Sequence, residues 1–158
     1  MTTGGYGAAP QYGSAQLQPG GLLRRFFARL IDGIIVSIIG SVGILAIFSS
    51  DGLSDLLVTG LFTGILMFVY FVAFEVGVGW TLGKKLLGLK VRGPGGAPKP
   101  DLKQSAIRNS WTLLPIVPYL GGLLAFIAIV VIAVTIAGSP TKQGKHDELA
   151  GGTEVVGT

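Results

Sequence analysis

Cysteine is absent from the 158 residues, so the chain has no disulfide, no thiolate metal site and no cysteine nucleophile. Charge is scarce: Asp, Glu, Lys and Arg make up 13% of the residues, roughly half the ~25% usual in soluble domains. With a single histidine, a zinc site would need several carboxylates to converge. The first twenty residues, MTTGGYGAAPQYGSAQLQPG, carry no charged side chain and no apolar period. A cleavable leader would need a basic n-region, and the apolar run behind Arg24 and Arg25 exceeds an h-region of about 7–15 residues. The expectation is an uncleaved chain with a disordered tail over 1–21 and one domain over 22–156.

Apolar residues take the place of charge. They form 49% of the chain, and the mean hydropathy is +0.66. This composition belongs to a membrane protein, and the length leaves no room for separate substrate and cofactor domains. The pI near 9.6 does not imply nucleic acid, because the basic residues lie between apolar runs rather than along a polar face.

Three segments approach the ~20 residues that an α-helix needs to cross ~30 Å of hydrocarbon. The first, Phe26 to Phe48, is charged only at Arg29 and Asp32; the second, Leu56 to Phe74, is uncharged and followed by Glu75. Between them Ser49 to Asp55, SSDGLSD, has the composition of a tight, non-cytoplasmic turn. The third, Trp111 to Ala137, is interrupted by Pro115, Pro118, Gly121 and Gly122, so it is either a single broken crossing or a hairpin.

Positive charge in short loops marks the cytoplasm. Arg24 and Arg25 therefore place the N-terminus inside, and Lys84, Lys85, Lys90, Arg92, Lys99, Lys103 and Arg108 place the long loop there. In that loop Leu87, Leu89 and Val91 alternate with Gly88, Lys90 and Arg92, the period of a half-buried strand. The other β-prone run is Thr153 to Val156. A pairing of the two needs both on one side of the membrane, which favours a cytoplasmic C-terminus. The expected fold is an all-α, multi-pass helical bundle with a short cytoplasmic β-strand pair.

Arg29 and Asp32 stand three residues apart, on one helical face, and can pair. Arg29 is long enough to reach the headgroups, whereas Asp32, about 9 Å into the apolar run at ~1.5 Å per residue, is not. The pair is read mainly as a packing device and secondarily as an ion- or proton-binding carboxylate. Glu75, at the same end, is placed to meet Arg29 or the Lys84 and Lys85 pair. The stretch GWTLGKK fails as a phosphate loop, since Gly79 and Gly83 are too close and Lys85 stands where Ser or Thr should bind magnesium. Lys84 and Lys85 are expected to contact anionic headgroups, with Trp80 and Trp111 in an interfacial aromatic belt. Gly60 and Gly64 form a GxxxG pair, and Gly33, Ser37 and Ser41 a small-residue ladder, suited to packing the first two helices together. His146 and Asp147 are adjacent, point apart and have no nucleophile beside them; Asp147 is read as a cap or a salt link to Arg29 or Arg108.

The stretches FFARLIDGIIV, FEVGVGWTLGKKLLGLKVRGPGG, AIRNSW and KHDELAGGTEVV together resemble the RDD family of small prokaryotic integral membrane proteins. The resemblance covers about Leu22 to Val156. It implies that the family's arginine is Arg29 and its aspartates Asp32 and Asp147, and it carries a suggestion of transport without a settled ligand. The expected function is non-enzymatic: a packing or accessory subunit of a membrane complex, with no cofactor and no metal. The alternative is a small transporter of a cation, proton or small solute using the Arg29 and Asp32 cluster. Three helices line no pore alone, so transport would require oligomers. The expected partners are the lipid bilayer and other membrane subunits or further copies of the chain.

Overall fold

A computed structural model describes residues 17–47, 54–117 and 119–158; side-chain surroundings are described for 17–42, 62–117 and 119–158. These residues are mostly helical: α1 (Leu22–Ile47), α2 (Ser54–Val78), α3 (Leu82–Leu86), α4 (Leu102–Asn109), α5 (Gly121–Gly138) and α6 (Lys145–Leu149), with strands β1 (Leu89–Arg92) and β2 (Glu154–Gly157). Among the described residues only α5 is clearly long and apolar enough to cross a membrane; the second helix contributes a shorter apolar stretch, Phe62–Val78. In α1 the first turns hold Arg25, Arg29 and Asp32, whose side chains bond to polar groups of other elements, while Arg24 is exposed.

The glycines of the loop have identifiable work. Gly79 ends α2 with a left-handed φ of 79°, its N–H donating to Glu75 O at 3.0 Å. Its carbonyl accepts from Val91 N at 2.7 Å, which starts the strand. Thr81 caps α3, its Oγ1 accepting from Lys84 N. Gly83 lies against α1, and a Cβ there would overlap Ala28 O and come within 3.0 Å of Asp32 Cγ.

β1 and β2 are antiparallel, with Leu89 opposite Gly157 and Val91 opposite Val155. The alternation expected for β1 is observed: Leu89 and Val91 are buried, and both pack with Ala28 of α1 and Val155. The described end of the N-terminal segment differs from the expected free tail. Gly157 N donates to Gln18 O and Gly20 N to Val155 O, both at 2.8 Å, so Gln18 and Gly20 line the open edge of β2. An unpaired sheet edge offers such donors and acceptors to any nearby chain. The rest of the expected tail lies outside the described residues, as does most of the turn between α1 and α2.

The third apolar region is two pieces. Ser110–Ile116 forms a 3-10 helix containing Pro115, which has no N–H to give an α-helical bond. That segment packs on α2 at Gly64, where a Cβ would meet Thr112 O at 3.2 Å. The chain then reverses; Gly121, whose Cβ would collide with the Leu114 and Pro115 carbonyls, permits the close turn. α5 runs back to the end that carries α6, where Lys145 N donates to Thr135 Oγ1 at 2.9 Å. This return is why β2 reaches β1.

The small-residue faces are divided differently from expectation. Gly33 and Gly40 face α2, where a Cβ would lie 3.6 Å from Met67 Cε and Leu66 Cδ2 respectively. Gly64, however, serves the 3-10 segment rather than α1, and Ser37 is exposed, its carbonyl accepting from Ser41 Oγ. A GxxxG spacing shows that a backbone can approach but not which one. The surroundings of Gly60 lie outside the described residues.

Candidate functional site

Three carboxylates, Asp32, Glu75 and Asp147, are fully buried at one end of the helices. A buried charge persists only when donors replace its lost hydration, and each of these is supplied by different elements.

Asp32 accepts from Thr81 Oγ1 at 2.5 Å, and from Tyr70 Oη and Gly83 N at 2.8 Å each. The glycine-threonine-lysine loop is thus a clasp that ties α3 to α1. Glu75 accepts from Lys84 Nζ, from Asn109 Nδ2 at 2.9 Å and from Ser105 Oγ at 3.0 Å, with Arg108 Nε at 3.7 Å. It joins α2 to α3 and α4. Asp147 accepts from Thr153 Oγ1 and Gly144 N at 3.1 Å and from Arg25 Nη1 at 3.2 Å, and forms an ion pair with Arg108 Nη1 at 2.9 Å. Cap and salt link are both present. Two left-handed glycines, Gly151 and Gly152, fold the chain so that Thr153 reaches Asp147.

Arg29 and Asp32 do not pair, contrary to expectation. Sharing a helical face permits contact, but each side chain has a better partner elsewhere. The Arg29 guanidinium lies 3.6 Å from the Phe71 ring centroid and 4.8 Å from that of Trp111, and its Nη2 donates to Asn109 Oδ1 at 3.2 Å. Among the described residues no carboxylate approaches Arg29 within ion-pair distance. Two headgroup assignments also change. Lys84, 7% exposed, is consumed by Glu75, and Trp111 is half-buried against Arg29. Lys85 is exposed, with its Nζ 4.3 Å from the Trp80 ring centroid.

Several site residues escaped sequence reasoning. The sequence marks Arg25 only as a topology signal and singles out none of Tyr70, Thr81, Ser105 and Asn109. Asn109 lies within AIRNSW, and its spacing from Ser105 puts both on one helical face; that spacing was the available signal. Among the described residues no cluster of His, Asp and Glu is suited to a metal ion.

A model of the RDD family matches residues 19–151. The chain belongs to the RDD family. No curated protein and no solved structure matches it. The RDD family is membrane-associated, and the three buried carboxylates of this RDD chain fall within the matched span. Asp32, Asp147 and Arg29, the residues implied by the resemblance, therefore occupy one site while bonding to different partners.

The site's ionisation follows from burial. Lys84 is lowered to about 8, burial outweighing the attraction of Glu75. His146 is lowered to about 3 by burial, with Asp147 opposing and Arg108, Arg29 and Arg25 adding to the shift. Asp147 is held below its ordinary value because Arg108 leads a set of cations and donors that overcome its burial. An unfolded His146 takes up a proton near pH 6.5 that the folded one refuses until about 3, so stability falls as pH drops through that window. Thermal unfolding in detergent should show a midpoint that declines below pH 6.5, and His146→Gln should flatten the decline. Equal slopes for both proteins would remove His146 from the account.

Proposed function

We propose that this RDD protein is a multi-pass component of the bacterial plasma membrane. In this reading α1 and α2 form a membrane hairpin, the 3-10 segment and α5 enter and leave from the cytoplasmic side, and both termini are cytoplasmic. The protein acts through packing with other membrane subunits rather than through chemistry of its own. What supports the membrane placement is the apolar surface: Phe26, Ile34 and Ile38 of α1 and Phe126, Val130 and Val134 of α5 are exposed. So extended an apolar surface is unfavourable in water.

The observation that carries the non-catalytic role is donor saturation. Asp32, Glu75 and Asp147 each accept from at least three groups. A carboxylate so filled stabilises the junction of α1, α2, α3, α4 and α6, and would have to break that junction to carry a cation. In sealed vesicles the native protein and Asp32→Asn should both move protons and sodium at the rate of empty vesicles. From solubilised membranes the native protein should copurify with a second membrane protein at fixed stoichiometry. Flux that requires Asp32 would replace this reading with transport.

A further inference from the structure

A cavity of about 580 Å³ separates α1 from α5. Its walls are apolar, formed by Leu30, Ile34 and Ile38 on α1 and by Ile129, Ile132 and Ile136 on α5. At one end it meets Arg25, Arg29, Lys84 and Arg108, together with Trp111 and His146. Apolar length with cations confined to one end is complementary to an anionic amphiphile.

Two independent observations point to an absent anion. Among the described residues, the buried side-chain nitrogens without a hydrogen-bond partner are Arg29 Nη1, Arg108 Nε, Trp111 Nε1 and His146 Nδ1, and all four residues line this cavity. The Arg108 side chain is only 4% exposed, and its Nε, 3.7 Å from Glu75 Oε1, is too distant for a hydrogen bond. The second observation is charge. Arg25, Lys84 and Arg108 are engaged by Glu75 and Asp147, and Asp32 is filled by uncharged donors, so among the described residues Arg29 has no counter-ion within ion-pair distance. An arginine whose Nη1 is buried without a partner attracts an anion, and guanidinium suits the oxygens of a phosphate.

We propose that this cavity binds one anionic phospholipid, its phosphate on Arg29 and an acyl chain between α1 and α5. Free phosphate would leave the apolar walls unfilled. A peptide would bring backbone groups that hydrocarbon cannot satisfy, whereas an acyl chain brings none. The distance from Arg29 to Ile38 along α1, about 14 Å at ~1.5 Å per residue, gives the chain a continuous apolar track. The inference rests on the membrane placement proposed above.

The full chain, reconstituted in vesicles of equimolar phosphatidylcholine and phosphatidylglycerol, is extracted in mild detergent and weighed by native mass spectrometry. One phospholipid should remain per chain, with phosphatidylglycerol favoured about tenfold over its bulk ratio. Arg29→Gln should abolish the headgroup preference while leaving a retained lipid. Ala133→Phe, which narrows the cavity without touching the ionic network, should reduce retention of both headgroups and keep the native unfolding midpoint. Retention at the bulk ratio, or displacement of the lipid by inorganic phosphate alone, would overturn the lipid site and leave the membrane reading intact. Failure of the chain to integrate into the vesicles would overturn both.

Discussion

Replacing Glu75 with alanine is expected to destabilise the protein by about 3–5 kcal/mol, the usual cost of removing one partner from a buried charge network. Glu75 is fully buried, and Lys84 and Arg108 around it are nearly so. Its removal leaves the Lys84 ammonium without a counter-charge and Arg108 with Asp147 alone, and takes the acceptor from Ser105 Oγ and Asn109 Nδ2. Arg29 is disturbed as well, because Asn109 connects it to Glu75. Glu75→Gln should be milder, as it keeps the shape and one acceptor. Adding Lys84→Met to Glu75→Gln should restore part of the loss, since the orphaned ammonium is then gone. Thermal unfolding of the purified variants in one detergent measures each step. A Glu75→Ala protein within about 1 kcal/mol of native, the range of exposed ion pairs, would show that the network contributes little.

Gly83→Ala is expected to rank next, although it adds a single methyl group. The added carbon would overlap Ala28 O and stand 3.0 Å from Asp32 Cγ. The first obstacle is helix backbone and the second a carboxylate held by three donors, so neither yields easily. α3 must move away from α1, which lengthens the bonds from Gly83 N and Thr81 Oγ1 to Asp32. Overpacking costs about 1–3 kcal/mol and an under-satisfied buried acceptor about 1–3 kcal/mol more. Gly77→Ala provides the control, because nothing lies within 4 Å of its Cβ position and alanine is the better helix former. Gly77→Ala should match or exceed native stability. Equal stability for both variants would mean that the contact between α3 and α1 is looser than described.

The sequence made the class and the ends of the elements readable, for reasons that differ between them. The β1 and β2 pairing was legible because alternation fixes which residues are buried, and because pairing requires a returning tail. The break of the third apolar region was legible because Pro115 cannot sit in an uninterrupted helix. That Arg29, Asp32 and Glu75 meet polar groups was legible too, since charges in or beside apolar runs must face one another or water. Their partners were not. Whether Arg29 meets Asp32 or Asn109 depends on the side from which α4 approaches α2, and no periodicity records that. Lys84 and Lys85 are neighbours with identical chemistry, and only the rotation of a five-residue helix decides which is buried. Gly64 likewise announces close approach, while the identity of the approaching backbone is a property of the assembled fold.

The lack of cysteine makes the central claim directly measurable, because each introduced cysteine is the only thiol in the protein. Single substitutions Gln18→Cys, Thr158→Cys and Asp51→Cys, labelled with a membrane-impermeant maleimide in intact cells and in inverted vesicles, report on which face each position lies. A bilayer-spanning protein with its ionic cluster at the cytoplasmic end predicts Gln18→Cys and Thr158→Cys protected in cells and labelled in inverted vesicles, and Asp51→Cys the reverse. Labelling of Thr158→Cys in intact cells while Gln18→Cys stays protected would contradict it.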